Sequence, residues 1–467
     1  MTQPQSTPML STAQDGAELS LPRLPAGPLV VLRRLAAAGH EAAVVGGSLR
    51  DSLLGLPHGD WDVATVATPE QVSELFPNSS YENRFGTVTV RDSTGAVVEV
   101  TTYRSETGYR DRRRPDDVRW GTVLNGDLAR RDFTINAIAW LPHELEDRSG
   151  RLVDPFGGTD DLRARILRAV GDPQQRFDED ALRLLRAVRF AHRFRLQIEP
   201  GTEAAIRRLA RTAGSVSGER LADELLRMLA AVDPAPSEAF ALMERLGLLQ
   251  VVLPELAALR GVPQQKAIPG DALDHTLRAV DAADAGNPDL RLAALCHDLG
   301  KARTLSGGRF IGHELVGAEM AEALLERLRL PRATIATVAH VVRLHMFAYT
   351  PDWTDAAVRR FVRRVGRDRL GLLLALRRAD NTASGVSEPP GAGLAQLERR
   401  FETAMADPLE ERELAIDGHD LQQELGLEPG PVVGRLLDRL MEAVLDDPAC
   451  NEPAALLRLA REELGPR

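Results

Sequence analysis

Lysine is nearly missing from this chain: among 58 basic residues only Lys266 and Lys301 are lysines. We assign that bias to a GC-rich genome, so by itself it excludes little. Other scarcities exclude more. Two cysteines in 467 residues, Cys296 and Cys450, leave no disulfide framework and suit a reducing cytoplasm, where we expect the protein. No apolar run approaches the length of a membrane span, although 43% of the residues are hydrophobic. The start lacks the basic and apolar segments of a secretory leader. Rich in Pro, Ser, Gln and Thr, residues 1–27 read as a disordered tail. Positive charge is outnumbered as well. A net charge of −10 argues against a surface that grips nucleic acid throughout. Arginines nevertheless cluster between Arg104 and Arg131 and between Arg163 and Arg195, which allows a local basic face. The chain is too long for one core, so several domains are expected.

What is present begins with Gly46-Gly47-Ser48-Leu49-Arg50-Asp51. The apolar run Ala42 to Val45 precedes it as a strand, and Leu49, Leu53 and Leu54 follow at helical spacing. Amides exposed where glycines meet a helix start suit phosphate oxygens. Asp60 and Asp62 stand two apart, and on a strand both carboxylates share a face. Such a pair can hold divalent cations for phosphoryl transfer. Separately, a glycine turn is often mere geometry and a D-x-D a solvated strand face; together within twenty residues they are far more specific. Thr87–Val90 and Val97–Val100 read as a hairpin around Ser93-Thr94-Gly95, with Glu99 either a third carboxylate or an exposed strand residue. The charged stretch 102–115 reads as a loop. Arg130 and Arg131 form either a phosphate-binding pair or a surface pair capped by Asp132.

From Asp161 the pattern turns helical. In Asp178 to Phe190, Asp180, Arg183 and Arg186 recur every third residue and so share a helix face. A salt-bridged amphipathic helix would explain them. So would base recognition: cytosine and adenine each pair an amino donor with a ring-nitrogen acceptor, which a carboxylate and a guanidinium complement, whereas uracil and guanine reverse that order. Ten histidines are spread over the whole chain, yet His275, His297, His313, His340 and His345 crowd one quarter, with Asp298 and Asp380 nearby. Histidines beside hard carboxylates suit a hydrolytic divalent site.

The run G-G-x-x-R-D-x-L-L-G with D-x-D-x-x-T, the stretch Arg130 to Ala137, and Glu179-Asp180-x-x-Arg183 resemble the signatures of the class II tRNA nucleotidyltransferases and bacterial poly(A) polymerases. The resemblance implies an α+β fold: a polymerase-β-like head with a mixed sheet at 28–160, then an all-α neck at 161–260. It implies Mg2+ on Asp60 and Asp62, and triphosphate contacts from Gly47, Arg50 and Arg131. It implies base reading by Asp180 and Arg183, with Arg186 and Arg189 also on the nucleotide. The loop at 102–115 is similar to the family's C-to-A switching loop, and its full length argues against a C-only enzyme. Ser217 to Leu225 resembles the family's last signature, a structural one.

His297-Asp298-Leu299-Gly300-Lys301 and the spaced histidines resemble the HD phosphohydrolases, here spanning 268–390. That likeness implies one metal on His275, His297, Asp298 and Asp380, a second available to His313, His340 and His345, and a divalent ion drawn from Mn, Ni, Mg or Fe. The helical tail, 395–467, carries G-x-D-L and P-G-P-x-x-G elements similar to those that grip a tRNA acceptor arm. The expected activity is addition of C and A to the 3′ end of tRNA from CTP and ATP. Enzymes adding CC only or A only, poly(A) polymerase, and an HD hydrolase with a degenerate RNA-binding head are the alternatives. No membrane partner is expected, and a homodimer stays open.

Overall fold

The structure, a computed structural model, describes residues 24–57, 59–81, 86–91, 97–107, 117–121, 123–142, 150–386 and 393–465. Most of the expected tail, the turn at 92–96 and the loop tip at 108–116 lie outside the described residues. The fold begins earlier than expected: Leu24 is buried, and the first helix, α1, is Ala26–Ala37. The chain divides into two compact units. The first runs to Glu224 and includes Ala241–Val252; the second comprises Leu225–Phe240 and everything from Leu253.

In the first unit, β1 (Ala42–Val45), β2 (Trp61–Thr65), β3 (Ser80–Tyr81), β4 (Thr87–Arg91) and β5 (Val97–Thr102) form most of one sheet. The strands β6 (Arg104–Thr107) and β7 (Asp117–Trp120) pair separately as an antiparallel hairpin, so the expected loop rises from a two-stranded base. The main sheet adds β8 (Ala139–Pro142) and β9 (Gly150–Val153), in the order β3-β4-β5-β2-β1-β8-β9. It is mixed: β1 runs antiparallel to β2 and β8, while β2 and β5 are parallel. Valines 44, 63, 88, 98 and 100 are fully buried, as β-branched residues on a covered sheet should be. The hairpin read from 87–100 is present, with Thr89 opposite Glu99.

Helices α2 (Gly46–Leu53), α3 (Pro69–Leu75), α4 (Leu124–Ala129) and α5 (Gly158–Arg163) accompany the sheet. Next come α6 (Pro173–Glu179), α7 (Leu182–Arg193), α8 (Pro200–Leu209) and α9 (Gly218–Leu229). The run at 178–190, expected as one helix, is broken at Asp180. That residue is extended (φ −146°, ψ 105°), and its carboxylate accepts the Leu182 N–H at 3.1 Å, ending one helix and starting the next.

The second unit is helical among its described residues. The helices Ala272–Ala282, Pro288–Cys296, Arg332–Leu344 and Leu370–Ser384 bury their apolar faces on one another. The tail forms the expected helix–turn–helix from Gly418–Leu425 and Pro431–Asp446, with Gly426 left-handed (φ +63°) at the first helix end. Among the described residues no helix is long and apolar enough to cross a membrane.

Candidate functional site

Strand β1 delivers the chain to Gly46, whose φ of +79° turns it sharply into α2. A Cβ there would lie 2.5 Å from Asp62 Oδ2, so glycine is required by backbone and by space alike. Because Val45 pairs with Asp62 across the β1–β2 ladder, the strand that carries Asp62 and the glycine turn meet side by side. Asp62 also stands in register with Glu99 on β5. Glu99 is therefore the third carboxylate on that face, a point the sequence left open. Burial pushes the Asp62 carboxyl up to about 6, and the charges of Glu99 and Asp60 push the same way. Arg131 and a hydrogen bond from the Gly47 N–H oppose them. Asp60 itself is exposed. Asp60, expected on the strand with Asp62, lies one residue before β2, and its charge and that of Glu99 act on Asp62; a divalent cation there would relieve the repulsion.

The arginines near this turn are held by buried acids. Buried Asp127 clamps both Arg130 (2.6 Å) and Arg131 (3.0 Å), a part the sequence reading gave to Asp132. Asp132 instead accepts from the Phe133 N–H, the Asn136 amide and Arg186 (2.8 Å). Burial would raise its carboxyl, but Arg186 and Asn136 win and hold it well below the usual range. Arg50 lies under α2, 4% exposed, with its guanidinium on Asp51 and Asn136 and close to the rings of Phe190 and Phe194. A Cβ on Gly47 would sit 3.3 Å from Arg50 Nη2, so this charge backs the glycine turn from beneath. Arg189 is likewise enclosed and bound to Glu224. The geometry gives Arg50 and Arg189 a supporting place in the wall, not an open guanidinium, because each faces a buried acid.

The two residues expected to read the base come together at the α6–α7 junction, though not as one helix face. Asp180 accepts two bonds from Arg220, at 3.0 and 2.7 Å. Arg183 donates to Glu179 (2.8 Å) and to the carbonyls of Arg176 and Arg130 (2.9 Å each). Arg220 and Glu224 are partners that spacing alone could not identify, whereas Glu179 and Asp127 sit three or four residues from theirs. Arg220 and Glu224 do fall in the stretch read as structural.

The second unit gathers six buried ligand-type residues in two sets, His275, His297 and Asp380, and Asp298, His313 and His345. The ligand atoms within each set lie within 4.8 Å of one another. His340 is not among them; its ring meets the Val365 carbonyl at 3.0 Å. Three rings are fixed in the same way. His297, His313 and His345 each donate Nδ1–H to the carbonyl three residues back, of Ala294, Phe310 and Val342, at 2.8, 2.8 and 2.6 Å. That turns each Nε2 inward, the nitrogen a metal ligand would use. Nε2 of His313 and His345 is buried with no hydrogen-bond partner. Asp298 turns Oδ2 to His297 (3.1 Å) and His275 (3.5 Å), and Oδ1 to His313 (3.5 Å) and His345 (3.9 Å). One carboxylate thus faces both sets. Burial pushes His345 down to about 3, so it is neutral near pH 7. Orphaned nitrogen lone pairs around carboxylate oxygens fit a divalent metal centre. Gly300 lets the turn after Asp298 pack against the start of the His313–Arg327 helix, where a Cβ would collide with the His313 carbonyl.

Comparison with known proteins agrees with the first unit. Residues 42–168 match the poly A polymerase head domain, and residues 313–460 match a second domain of tRNA nucleotidyltransferases. The CCA-adding enzyme of Geobacillus stearothermophilus is 33% identical, over 91% of this chain and 93% of its own length. The A-adding tRNA nucleotidyltransferase of Deinococcus radiodurans is 36% identical, over 86% and 91%. The crystal structure of the Bacillus stearothermophilus CCA-adding enzyme in complex with CTP superposes with a TM-score of 0.69 at 30% identity, covering 94% of this chain and 96% of that one. With a third of its residues shared along nearly the whole of such relatives, this chain belongs to the class II family of CCA-adding enzymes and poly(A) polymerases.

Proposed function

We propose that this protein adds C and A to the 3′ end of tRNA, taking CTP and ATP and releasing pyrophosphate. The observation that carries the proposal is Asp62 at the glycine turn, bonded by the Gly47 amide, in register with Glu99 on the next strand and under the charges of Asp60 and Arg131. In this reading the terminal ribose hydroxyl attacks the nucleotide's α-phosphate. Asp60 and Asp62 would hold Mg2+, which supplies charge stabilisation for the attacking and leaving oxygens. The Gly47 amide at the α2 start, with Arg50 behind it and Arg131 beside it, orients the triphosphate. Asp180 accepts from the exocyclic amine and Arg183 donates to the ring nitrogen, while Arg186 and Arg189 support that wall. The A-adding relative from Deinococcus radiodurans makes A-only addition the main rival. Labelled CTP or ATP given with tRNA ending at the discriminator base, at C or at CC separates these activities from each other and from poly(A) synthesis. No incorporation on any of the three tRNAs, with Asp60→Ala indistinguishable from the parent, would remove the reading.

A second activity, hydrolysis of phosphate esters by the second unit, is favoured by the two buried three-ligand sets. His275, His297, Asp298 and Asp380 would hold one divalent ion, and Asp298, His313 and His345 another. Such ions supply a Lewis acid for the phosphoryl group. Mn2+ or Ni2+ with a 2′,3′-cyclic nucleotide should give a monoester, and no turnover with any divalent metal would sink the idea.

A further inference from the structure

A cavity of about 580 Å3 lies in the second unit, between the helices Asp355–Val365 and Pro431–Asp446. None of the residues that line it belongs to either candidate centre. Its volume is that of a small-molecule site. Ala357, Phe361 and Arg364 line it from one face of the first helix, four and then three residues apart. Alanine at 357 keeps the space open, because a longer side chain at that position would project into it.

The aromatic side of the cavity is rigid. Phe361 is buried, stacked on Phe401 at 5.8 Å and edge-on to Trp353 at 5.4 Å. Trp353 is itself half-buried, and Arg400 donates to its carbonyl at 2.6 Å, fixing the backbone that carries the indole.

The three arginines in the lining are unequal. Arg360 is neutralised by Glu442 at 2.8 Å and Asp446 at 2.9 Å. Arg363 has only longer contacts, 3.4 Å to Glu442 and 3.9 Å to Glu411. Arg364 is exposed and meets no carboxylate among the described residues; its guanidinium lies over the Phe361 ring, 5.2 Å from the centroid. Glu442, the acid in the lining, is taken up by Arg360 and Arg363 and so does not cancel Arg364. In a chain of net charge −10, guanidinium donors left over beside an indole call for an anion with a flat apolar part. A nucleotide has both: its base stacks on aromatic and guanidinium planes, and its phosphate takes the forked donors of arginine.

We propose that this cavity is a nucleotide subsite, with the base against Trp353 and the phosphate on Arg363 and Arg364. It takes a single nucleotide, either free or unpaired within an RNA; a base-paired helix does not enter a space of that size.

The test places its readout in the cavity, so that nucleotide held by the first unit is not counted. Full-length protein carrying 5-fluorotryptophan gives one 19F resonance for each of the four tryptophans, and Trp353→Phe assigns that of Trp353. AMP and, separately, a single-stranded RNA are titrated in the presence of EDTA. The Trp353 resonance should move saturably with at least one of them. Ala357→Leu, which fills the space, and Arg364→Gln should each raise the midpoint about tenfold or more, the scale of one charge-assisted hydrogen bond. The response of Trp61, next to Asp62, should be the same in both variants as in the parent. Movement with AMP identifies a free nucleotide as the ligand, and movement with RNA alone identifies an unpaired RNA nucleotide. A Trp353 resonance unmoved by both probes, a midpoint that either variant leaves unaltered, or an equal shift from inorganic phosphate overturns the proposal. If Ala357→Leu fails to fold by circular dichroism, Arg364→Gln, at an exposed position, decides alone.

Discussion

The two candidate centres of this chain differ in both ligands and setting: carboxylates alone in the first unit, histidines with aspartates in the second. In the first unit, the carboxylates stand on and just before two neighbouring inner strands, Asp60 and Glu99 exposed and Asp62 partly so, and buried acids hold the arginines. In the second, every ligand is buried and each of three histidines is tied to its own backbone. The first arrangement leaves repulsion that a cation arriving with a triphosphate would relieve, on the proposed function. The second is preformed, its lone pairs already oriented. The difference teaches that a site for a large, exchanging substrate can keep its charges at the edge, whereas a buried centre must have its tautomers fixed by hydrogen bonds.

The contrast can be broken most sharply at Asp62. Asp62→Ala should lower nucleotide incorporation by roughly 10²–10⁴, the scale of several kcal/mol of lost charge stabilisation, measured as initial rate on tRNA ending in CC. His297→Ala should abolish one high-affinity Mn2+ equivalent, read by titration, while incorporation falls far less than in Asp62→Ala. Equal losses of incorporation in both would show that the centres are not separable. Asp180→Ala should reduce the preference for CTP and ATP over UTP and GTP by about ten- to a hundredfold, about 1–3 kcal/mol for one lost base-reading pair, read as ratios of kcat/KM. Arg220→Leu should act through Asp180 and give the same trend at about three- to tenfold, the value of a part-buried hydrogen bond.

The smallest effect concerns stability and pH. Because Asp62 is held at about 6, above its unfolded value, its ionised form costs the folded state free energy above that pH. In EDTA, Asp62→Asn should therefore be more stable than the parent by about 1–2 kcal/mol at pH 8, and the gap should close as pH falls through 6. Calorimetric midpoints of the two proteins across pH 5–8 check it. With Mg2+, incorporation should fall below about pH 6 as the proton competes for Asp62.

Much of the first site was legible because its parts are local. A strand, a positive-φ glycine and a short helix lie within a dozen residues, and D-x-D alternation defines a face wherever it occurs on a strand. Glu99 was ambiguous because only the β2–β5 register decides which residue stands beside Asp62. Asp180, Arg183 and Arg186 suggested a helical face, yet a chain that ends one helix and starts another at Asp180 breaks that periodicity without altering the spacing. In the second unit, His340 and His345 were equivalent by spacing. The end of the Arg332–Leu344 helix turns His345 into the cluster and leaves His340 on the Val365 carbonyl.

By itself, then, the sequence determined the glycine turn between a strand and a helix, the hairpin after it and the residue types gathered in the second unit's cluster, since each depends on residue types and near neighbours. Tertiary structure decided which charges are neutralised and by whom. Asp127 clamps the arginine pair, Glu224 and Asp132 hold the arginines of α7, Arg220 holds Asp180, and the two lysines face one buried cluster. In many of these pairs the partners lie dozens of residues apart. Burial makes each such pair obligatory, because a charge taken out of water must meet an opposite one, and only the folded chain determines which.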